Sequence, residues 1–215
     1  MTVDTLAFDE ALREKYPIIA GSDEVGRGCL AGPVVTATVI LPPNTDIEGV
    51  MDSKKIPKEK HEALARKIFE TAIEVQMGIK EPHEIDDMNI LQATKQAMRD
   101  SVNKLHHKPD LLLIDGNDKQ LLGTEYEEQT VIKGDYHSLT IASASVIAKY
   151  VRDQIMHNAD KDYPGYGFST NAGYGTAKHI DALAQLGITP LHRKTFQPIK
   201  RNINKWKTYD NSAEK

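Results

Sequence analysis

Apolar positions fall along this chain in two rhythms, one of strands and one of helices. Residues 18–25 (IIAGSDEV) and 33–41 (PVVTATVIL) are β-branched runs separated by Gly26, Gly28 and Gly32, which predicts two strands joined by a glycine-rich turn. Pro42 and Pro43 close the second strand. From Lys58 to Ala72, the apolar residues Leu64, Ile68, Phe69 and Ala72 recur at spacings of three and four, the period of an amphipathic helix. Residues 73–80 (IEVQMGIK) predict a third strand ending before Pro82. Residues 89–105 predict a helix stopped by His106, His107, Lys108 and Pro109. Residues 110–115 (DLLLID) form a nearly continuous apolar run ended by Gly116 and Asn117, the pattern of a strand buried on both faces. A short strand follows at 129–133. Residues 138–157 predict a long helix whose small residues permit close packing on a sheet, and 176–186 a further helix stopped by Gly187 and Pro190. Early consecutive strands and later strands separated by helices predict a mixed-sheet α/β domain. Residues 1–16 read as a lead-in, 17–200 as the folded domain and 201–215 as a polar tail with Trp206 its only large anchor.

Composition narrows the class. The 215 residues, 40% hydrophobic and 27% charged, suit one globular domain at about 100–200 residues per domain and exclude collagen-like and disordered chains. Cys29 is the only thiol, so no intramolecular disulfide forms, which suits a reducing compartment or simply makes no demand on redox state. No apolar run reaches the roughly 18 residues of a membrane span, and Met1 to Arg13 lacks the basic-then-apolar order of a secretory signal. A cytoplasmic location is expected. The net charge of −4 rules out a general basic coat for nucleic acid. The charge is nevertheless asymmetric: residues 1–132 carry −9 and residues 133–215 carry +5. That division would let a negative metal-binding centre work with a positive, anion-seeking half.

The sharpest chemical feature is Asp23-Glu24-Val25-Gly26-Arg27-Gly28 at the end of an apolar strand. Successive side chains on a strand point to opposite faces, so adjacent carboxylates serve one site only where the strand ends or twists, and the glycines allow that. The alternative is a hairpin with solvated acids. A dinucleotide site does not fit, because a strand and not a helix follows the glycines. Asp115 repeats the arrangement at the end of another apolar strand, where Gly116 turns the chain. Asp135, in Lys133-Gly134-Asp135, comes just ahead of the helix expected from Ser138, where helix capping is its competing role. A set of carboxylates selects hard, oxygen-binding cations, Mg²⁺ or Mn²⁺, and no Cys/His set has zinc spacing.

The run from Ile19 to Gly28 with Leu30-Ala31-Gly32-Pro33-Val34-Val35 resembles the signature of type 2 ribonucleases H, the ribonuclease HII family. Asp52-Ser53-Lys54-Lys55, Asn89-Ile90, Asp115-Gly116-Asn117, Lys133-Gly134-Asp135, Ser143 to Asp153, Gly173-Tyr174-Gly175-Thr176 and Pro190-Leu191-His192-Arg193 extend the resemblance along nearly the whole chain. It implies a ribonuclease H-like fold, a mixed central sheet flanked by helices, with a small helical C-terminal region. It also implies endonucleolytic hydrolysis of RNA in RNA·DNA hybrids and incision 5′ of a single ribonucleotide in duplex DNA, leaving a 3′-hydroxyl and a 5′-phosphate. Asp23, Glu24, Asp115 and Asp135 would be the acidic quartet holding two divalent ions, Mn²⁺ or Mg²⁺. Gly26, Arg27 and Gly28 would read the target 2′-hydroxyl through the backbone, the group that separates RNA from DNA. Tyr174 would stack on the sugar beyond the junction, and Ser53, Lys54 and Lys55 would contact phosphates. Lys149 and Arg152, three apart on one helix, share a face that could reinforce the phosphate track. His192 and Arg193 are expected mainly to stabilise the C-terminal region.

The sequence departs from the family pattern at three positions. Cys29 stands where Pro is common, and Ala172 and His137 stand where Lys is usual; the last two remove positive charge and bear on affinity and salt dependence. Two other readings compete. A ribonuclease HIII-like enzyme usually lacks the Gly-Arg-Gly context and carries a substantial N-terminal extension, whereas about 16 residues precede the first strand here. A non-catalytic hybrid-binding module would bind without cleaving. No membrane association is expected, and nothing in the sequence requires more than a monomer.

Overall fold

The computed structural model describes residues 5–50, 56–117 and 121–209. In chain order its elements are α1 (Thr5–Arg13), β1 (Ile19–Val25), β2 (Val34–Ile40), α2 (Lys58–Thr71), β3 (Glu74–Lys80), α3 (Pro82–Met88), α4 (Ile90–Val102), β4 (Leu111–Asp115), β5 (Glu127–Val131), α5 (Gly134–His137), α6 (Leu139–Asp162), α7 (Phe168–Asn171), α8 (Ala177–Leu186) and α9 (Ile199–Asn202). The chain divides into two compact units. The first is Met1–Val25, Val35–Ile79 and Thr94–Val151; the second is Gly26–Val34, Lys80–Ala93 and Arg152–Lys215.

The first unit is built on a five-stranded sheet in the order β3-β2-β1-β4-β5. β1 pairs antiparallel with β2 and parallel with β4, and β4 pairs parallel with β5. The central strands are the continuous apolar runs. β2 is buried along its whole length, and in β4 only Asp115 escapes burial. The two threonines of β2 are compatible with that burial because their hydroxyls are satisfied, Thr36 by the carbonyl of Gly78 at 3.2 Å and Thr38 by Ser101 at 2.7 Å. β5, at the edge, alternates exposed and covered positions. α6 approaches β1 closely: a Cβ on Gly21 would stand 2.6 Å from the backbone carbon of Thr140. The Asp9 carboxylate of α1 receives the amide (2.8 Å) and hydroxyl (2.6 Å) of Thr140 and so caps the start of α6.

The second unit packs Leu30, Met156, Tyr166, Phe168, Leu183 and Ile199 into its own core, with Trp206 partly buried against it. Its C-terminal part is the small helical region expected. Within it, Asp86 of α3 accepts the amides of Lys194 and Thr195 at 2.8 and 2.9 Å. Among the described residues no helix is long and apolar enough to cross a membrane.

The mixed sheet with flanking helices is as expected, but several boundaries differ. α1 lies within the stretch read as a lead-in. Pro82 ends β3 and also opens α3, at the first helical position where its missing N–H costs nothing. The helix expected from residue 89 is α4, preceded by α3. Asn89 turns the chain between them at φ 69° and caps α4 through its side chain. The helix expected from residue 138 runs on to Asp162 and is preceded by the single turn of α5.

Candidate active site

The acids belong to the first unit. The parallel register of β1 and β4 ends at Ser22 and Ile114, and its next step sets Asp23 beside Asp115. Residues level with one another in adjacent parallel strands share a sheet face, so these carboxylates point the same way. Asp23 is only 5% exposed. Burial pushes its carboxyl well above the ordinary range, and the carboxylates of Glu24 and Asp115 push it further; the Ser145 hydroxyl of α6 and the Glu24 amide act against them. That amide donates to Asp23 Oδ1 at 2.7 Å. β1 keeps its register with β2 through Val25, and its last two residues, Glu24 and Val25, are half-buried where Asp23 is buried.

Asp115 is fixed from the other side. Its Oδ1 accepts the Gly134 amide at 2.6 Å. A Cβ on Gly134 would come within 2.6 Å of Ile141 Cδ1 and 3.2 Å of that same carboxylate oxygen, so the approach needs glycine. Lys133, at φ 56°, turns the chain into α5, and Asp135 follows in its first turn. Asp135 thus comes just ahead of α6, as expected, and itself lies inside the short helix α5. The bond from Gly134 ties the segment bearing Asp135 to the end of β4.

Among the described residues, no three His, Cys, Asp or Glu side chains form a finished metal cage. What stands there is a group of hard oxygen donors in which like charges hold a buried carboxyl protonated above its ordinary range. A divalent cation would relieve that repulsion, and the donor chemistry fits Mg²⁺ or Mn²⁺.

The Gly-Arg-Gly segment and Tyr174 belong to the second unit. Gly26 has φ +96°, and a Cβ there would stand 2.2 Å from Arg152 Nε, so no side chain fits. Gly28 is exposed, and a Cβ on it would lie 4.0 Å from the Tyr174 ring, which is itself 45% exposed. Burial, with Cys29 beside it, pushes the Tyr174 phenol above its ordinary value. The loop before Tyr174 is held down by the Gly173 carbonyl, which accepts from Leu30 at 2.8 Å.

Arg152 does not reinforce a phosphate track. It is 1% exposed and donates to the carbonyls of Pro33 (2.9 Å), Ala172 (2.7 Å) and Ala31 (3.0 Å). Helical spacing gave Arg152 and Lys149 a common face, but burial removes Arg152 from solvent. Arg193 and His192 are also buried within the second unit, as expected of stabilising residues. Ser53, Lys54 and Lys55 lie outside the described residues. Sequence reasoning missed Ser145 and the Gly134 amide as partners of the acids. Ser145 carried one signal, a hydroxyl within a helix of small, core-facing residues.

The ribonuclease HII family model matches residues 20–199. The ribonuclease H2 from Pyrococcus horikoshii OT3 superposes with a TM-score of 0.74 at 25% identity, over 86% of this chain and 96% of that one. An Archaeoglobus fulgidus RNase HII, solved as a complex with PCNA, gives 0.70 at 24% identity over 84% and 95%. Bst-RNase HIII, solved in complex with Mn²⁺, gives 0.62 at 19% identity over 87% and 69%. The last two are likenesses of fold. Fold and family model together define a ribonuclease H, a hydrolase of the class that acts on RNA–DNA hybrids with divalent metal ions. The chain belongs to the ribonuclease HII family.

Proposed function

We propose that this ribonuclease H incises duplex DNA on the 5′ side of a single embedded ribonucleotide, as well as cleaving the RNA strand of hybrids, and leaves 3′-hydroxyl and 5′-phosphate ends. The observation that carries the reading is Asp23, buried and pressed by the carboxylates of Glu24 and Asp115 at the end of β1. Asp23, Glu24, Asp115 and Asp135 hold two divalent ions, Mg²⁺ or Mn²⁺. When bound, such ions supply a more acidic water and Lewis acidity at the leaving 3′ oxygen.

The protein's own groups set the rest. Ser145 and the Glu24 amide fix the rotamer of Asp23, and the Gly134 amide fixes that of Asp115, so the donor oxygens are oriented before any ion arrives. The chain leaves Glu24 through Val25 into Gly26, Arg27 and Gly28, whose backbone reads the 2′-hydroxyl. Tyr174, its ring beside Gly28, stacks on the following sugar and disfavours a second 2′-hydroxyl there. Ser53, Lys54 and Lys55 contact phosphates.

The test is a labelled DNA duplex with one ribonucleotide, incubated with Mg²⁺ or Mn²⁺, the cut mapped by a sequencing ladder. We expect one cut 5′ of the ribonucleotide, and at least a 100-fold loss in Asp115→Asn with folding retained. Cleavage of long hybrids without incision at the single site would instead support the ribonuclease HIII-like reading. Binding without any cleavage would support a non-catalytic module.

A further inference from the structure

Arg193 has a geometry that core stabilisation does not use up. Its guanidinium, fully buried, donates to main-chain carbonyls: Nη2 to Gly26 (2.7 Å) and Gly32 (2.9 Å), Nη1 to Arg27 (2.9 Å), and Nε to Gly32 (3.1 Å). Around it the Arg193 amide donates to the Leu30 carbonyl and the Gly32 amide to the Leu191 carbonyl, both at 2.8 Å. The segment 26–32 is thus folded about one planar cation. Burial pulls that cation down to about 10, with Arg152 adding to the effect and Cys29, Asp86 and Tyr174 opposing it, so it stays charged at neutral pH.

In a trans peptide the carbonyl and the amide N–H point in opposite directions. Arg193 takes the carbonyls of the Gly26–Arg27 and Arg27–Gly28 peptides. Their N–H groups, on Arg27 and Gly28, therefore both face away from the guanidinium. Two successive amides sharing a direction make a concavity for an oxygen atom. Gly28 is exposed and lies against the Tyr174 ring, so the amide pair and the ring belong to one surface of this unit. A guanidinium fork can hold two carbonyls in a fixed relation, whereas a lysine ammonium, a single point charge on a flexible stem, cannot.

We propose that Arg193 is a positioning residue for substrate selection: by holding the carbonyls of Gly26 and Arg27 it presents the amides of Arg27 and Gly28 to the 2′-hydroxyl of the ribonucleotide. This rests on the reading of residues 26–28 given above. It makes Arg193 act on ribonucleotide preference and not on general affinity for duplex.

The test uses Asp115→Asn, to prevent cleavage, with and without Arg193→Lys, and two duplexes of one sequence, all-DNA and with a single ribonucleotide. Arg193→Lys keeps the charge, so all-DNA affinity should change less than twofold, while the preference for the ribonucleotide duplex falls about tenfold, as for loss of a well-aligned hydrogen bond. A preference unchanged in folded Arg193→Lys, or affinities for both duplexes that fall together, would overturn the proposal. Should Arg193→Lys not fold, the amide proton resonances of Arg27 and Gly28 in the Asp115→Asn protein decide. They should shift downfield with the ribonucleotide duplex and not with all-DNA, and equal responses overturn the assignment. No ribonucleotide preference in the Asp115→Asn parent would instead remove the reading of residues 26–28 and the proposal with it.

Discussion

A buried carboxyl among like charges is a cost the fold carries, and Asp23 shows where the cost is released. Because its folded pKa lies above its unfolded value, stability associated with it is fully present below the unfolded value and is lost as pH rises toward the folded one. At neutral pH the metal-free protein holds it at a penalty. Asp23→Asn keeps the shape and removes the charge, so it should raise the stability of the metal-free protein by about 1–2 kcal/mol at pH 7. The same variant should lose cleavage at least about 100-fold. Millimolar Mg²⁺ should raise the melting temperature of the parent and leave that of Asp23→Asn nearly unchanged. Melting curves with and without EDTA read all of this, and a destabilised Asp23→Asn would show that the carboxylate is held by its hydrogen bonds more than it is opposed by its neighbours.

Elements carry the acids into register, and α6 is the one whose seating matters most. Ser145 sits on it, and its start is fixed by Asp9 from α1. Asp9→Ala leaves the fully buried Thr140 without an acceptor for its amide and hydroxyl, at about 1–3 kcal/mol, partly offset because burial already pushes the Asp9 carboxyl up. The urea midpoint should fall accordingly, while activity per folded molecule stays near that of the parent. An unmoved midpoint would mean that the cap contributes little. At this scale the sequence was most readable where one signal dominated. β1, β2 and β4 are largely apolar runs closed by glycines, by Pro42 and Pro43, and by Asp115-Gly116 respectively, and their ends were legible to within a residue or two. α1 is amphipathic but only nine residues long, too short for its period to stand out beside the longer helices, and α5 is a single turn that shows no period. Hence Asp135 reads only as a residue before α6, and its place inside α5 does not show. Arg152 lies on the covered stripe of α6 with Ala148, Met156 and Ala159, at spacings of three and four, so the periodicity places it on the inner face; what the sequence does not carry is the set of carbonyls that satisfies its guanidinium there. The acidic strand ends were legible; the groups that orient them, Ser145 and the Gly134 amide, depend on packing.

For the whole molecule, charge and pH act together. The surplus of +5 in residues 133–215 includes Arg152 and Arg193, both buried on carbonyls, so less of it faces nucleic acid than the sequence suggests. The same C-terminal stretch holds a second pH-dependent burden. Thr189 donates its amide to His192 Nδ1 at 3.0 Å, which makes that nitrogen an acceptor. His192 Nε2 then carries the proton and donates to His179 Nε2 at 3.0 Å, and His179 Nδ1 donates to the Tyr174 carbonyl at 2.9 Å. No further proton enters this chain without breaking one of its bonds. Burial, with His179 adding to it, pulls His192 down to about 3, and burial also lowers His179. The unfolded chain takes up protons below about 6.5, so stability from His192 is complete above that pH and is lost as pH falls toward 3, by about 1.4 kcal/mol per pH unit, and His179, lowered as well, acts in the same direction. Asp23 works in the opposite sense, so the measurement belongs in Asp23→Asn. There, urea midpoints should fall steadily as pH drops from about 6.5 to 4.5, and adding His192→Asn, which keeps an acceptor for Thr189 but does not titrate, should make that fall shallower. An unaltered slope would place the acid sensitivity outside the histidine pair.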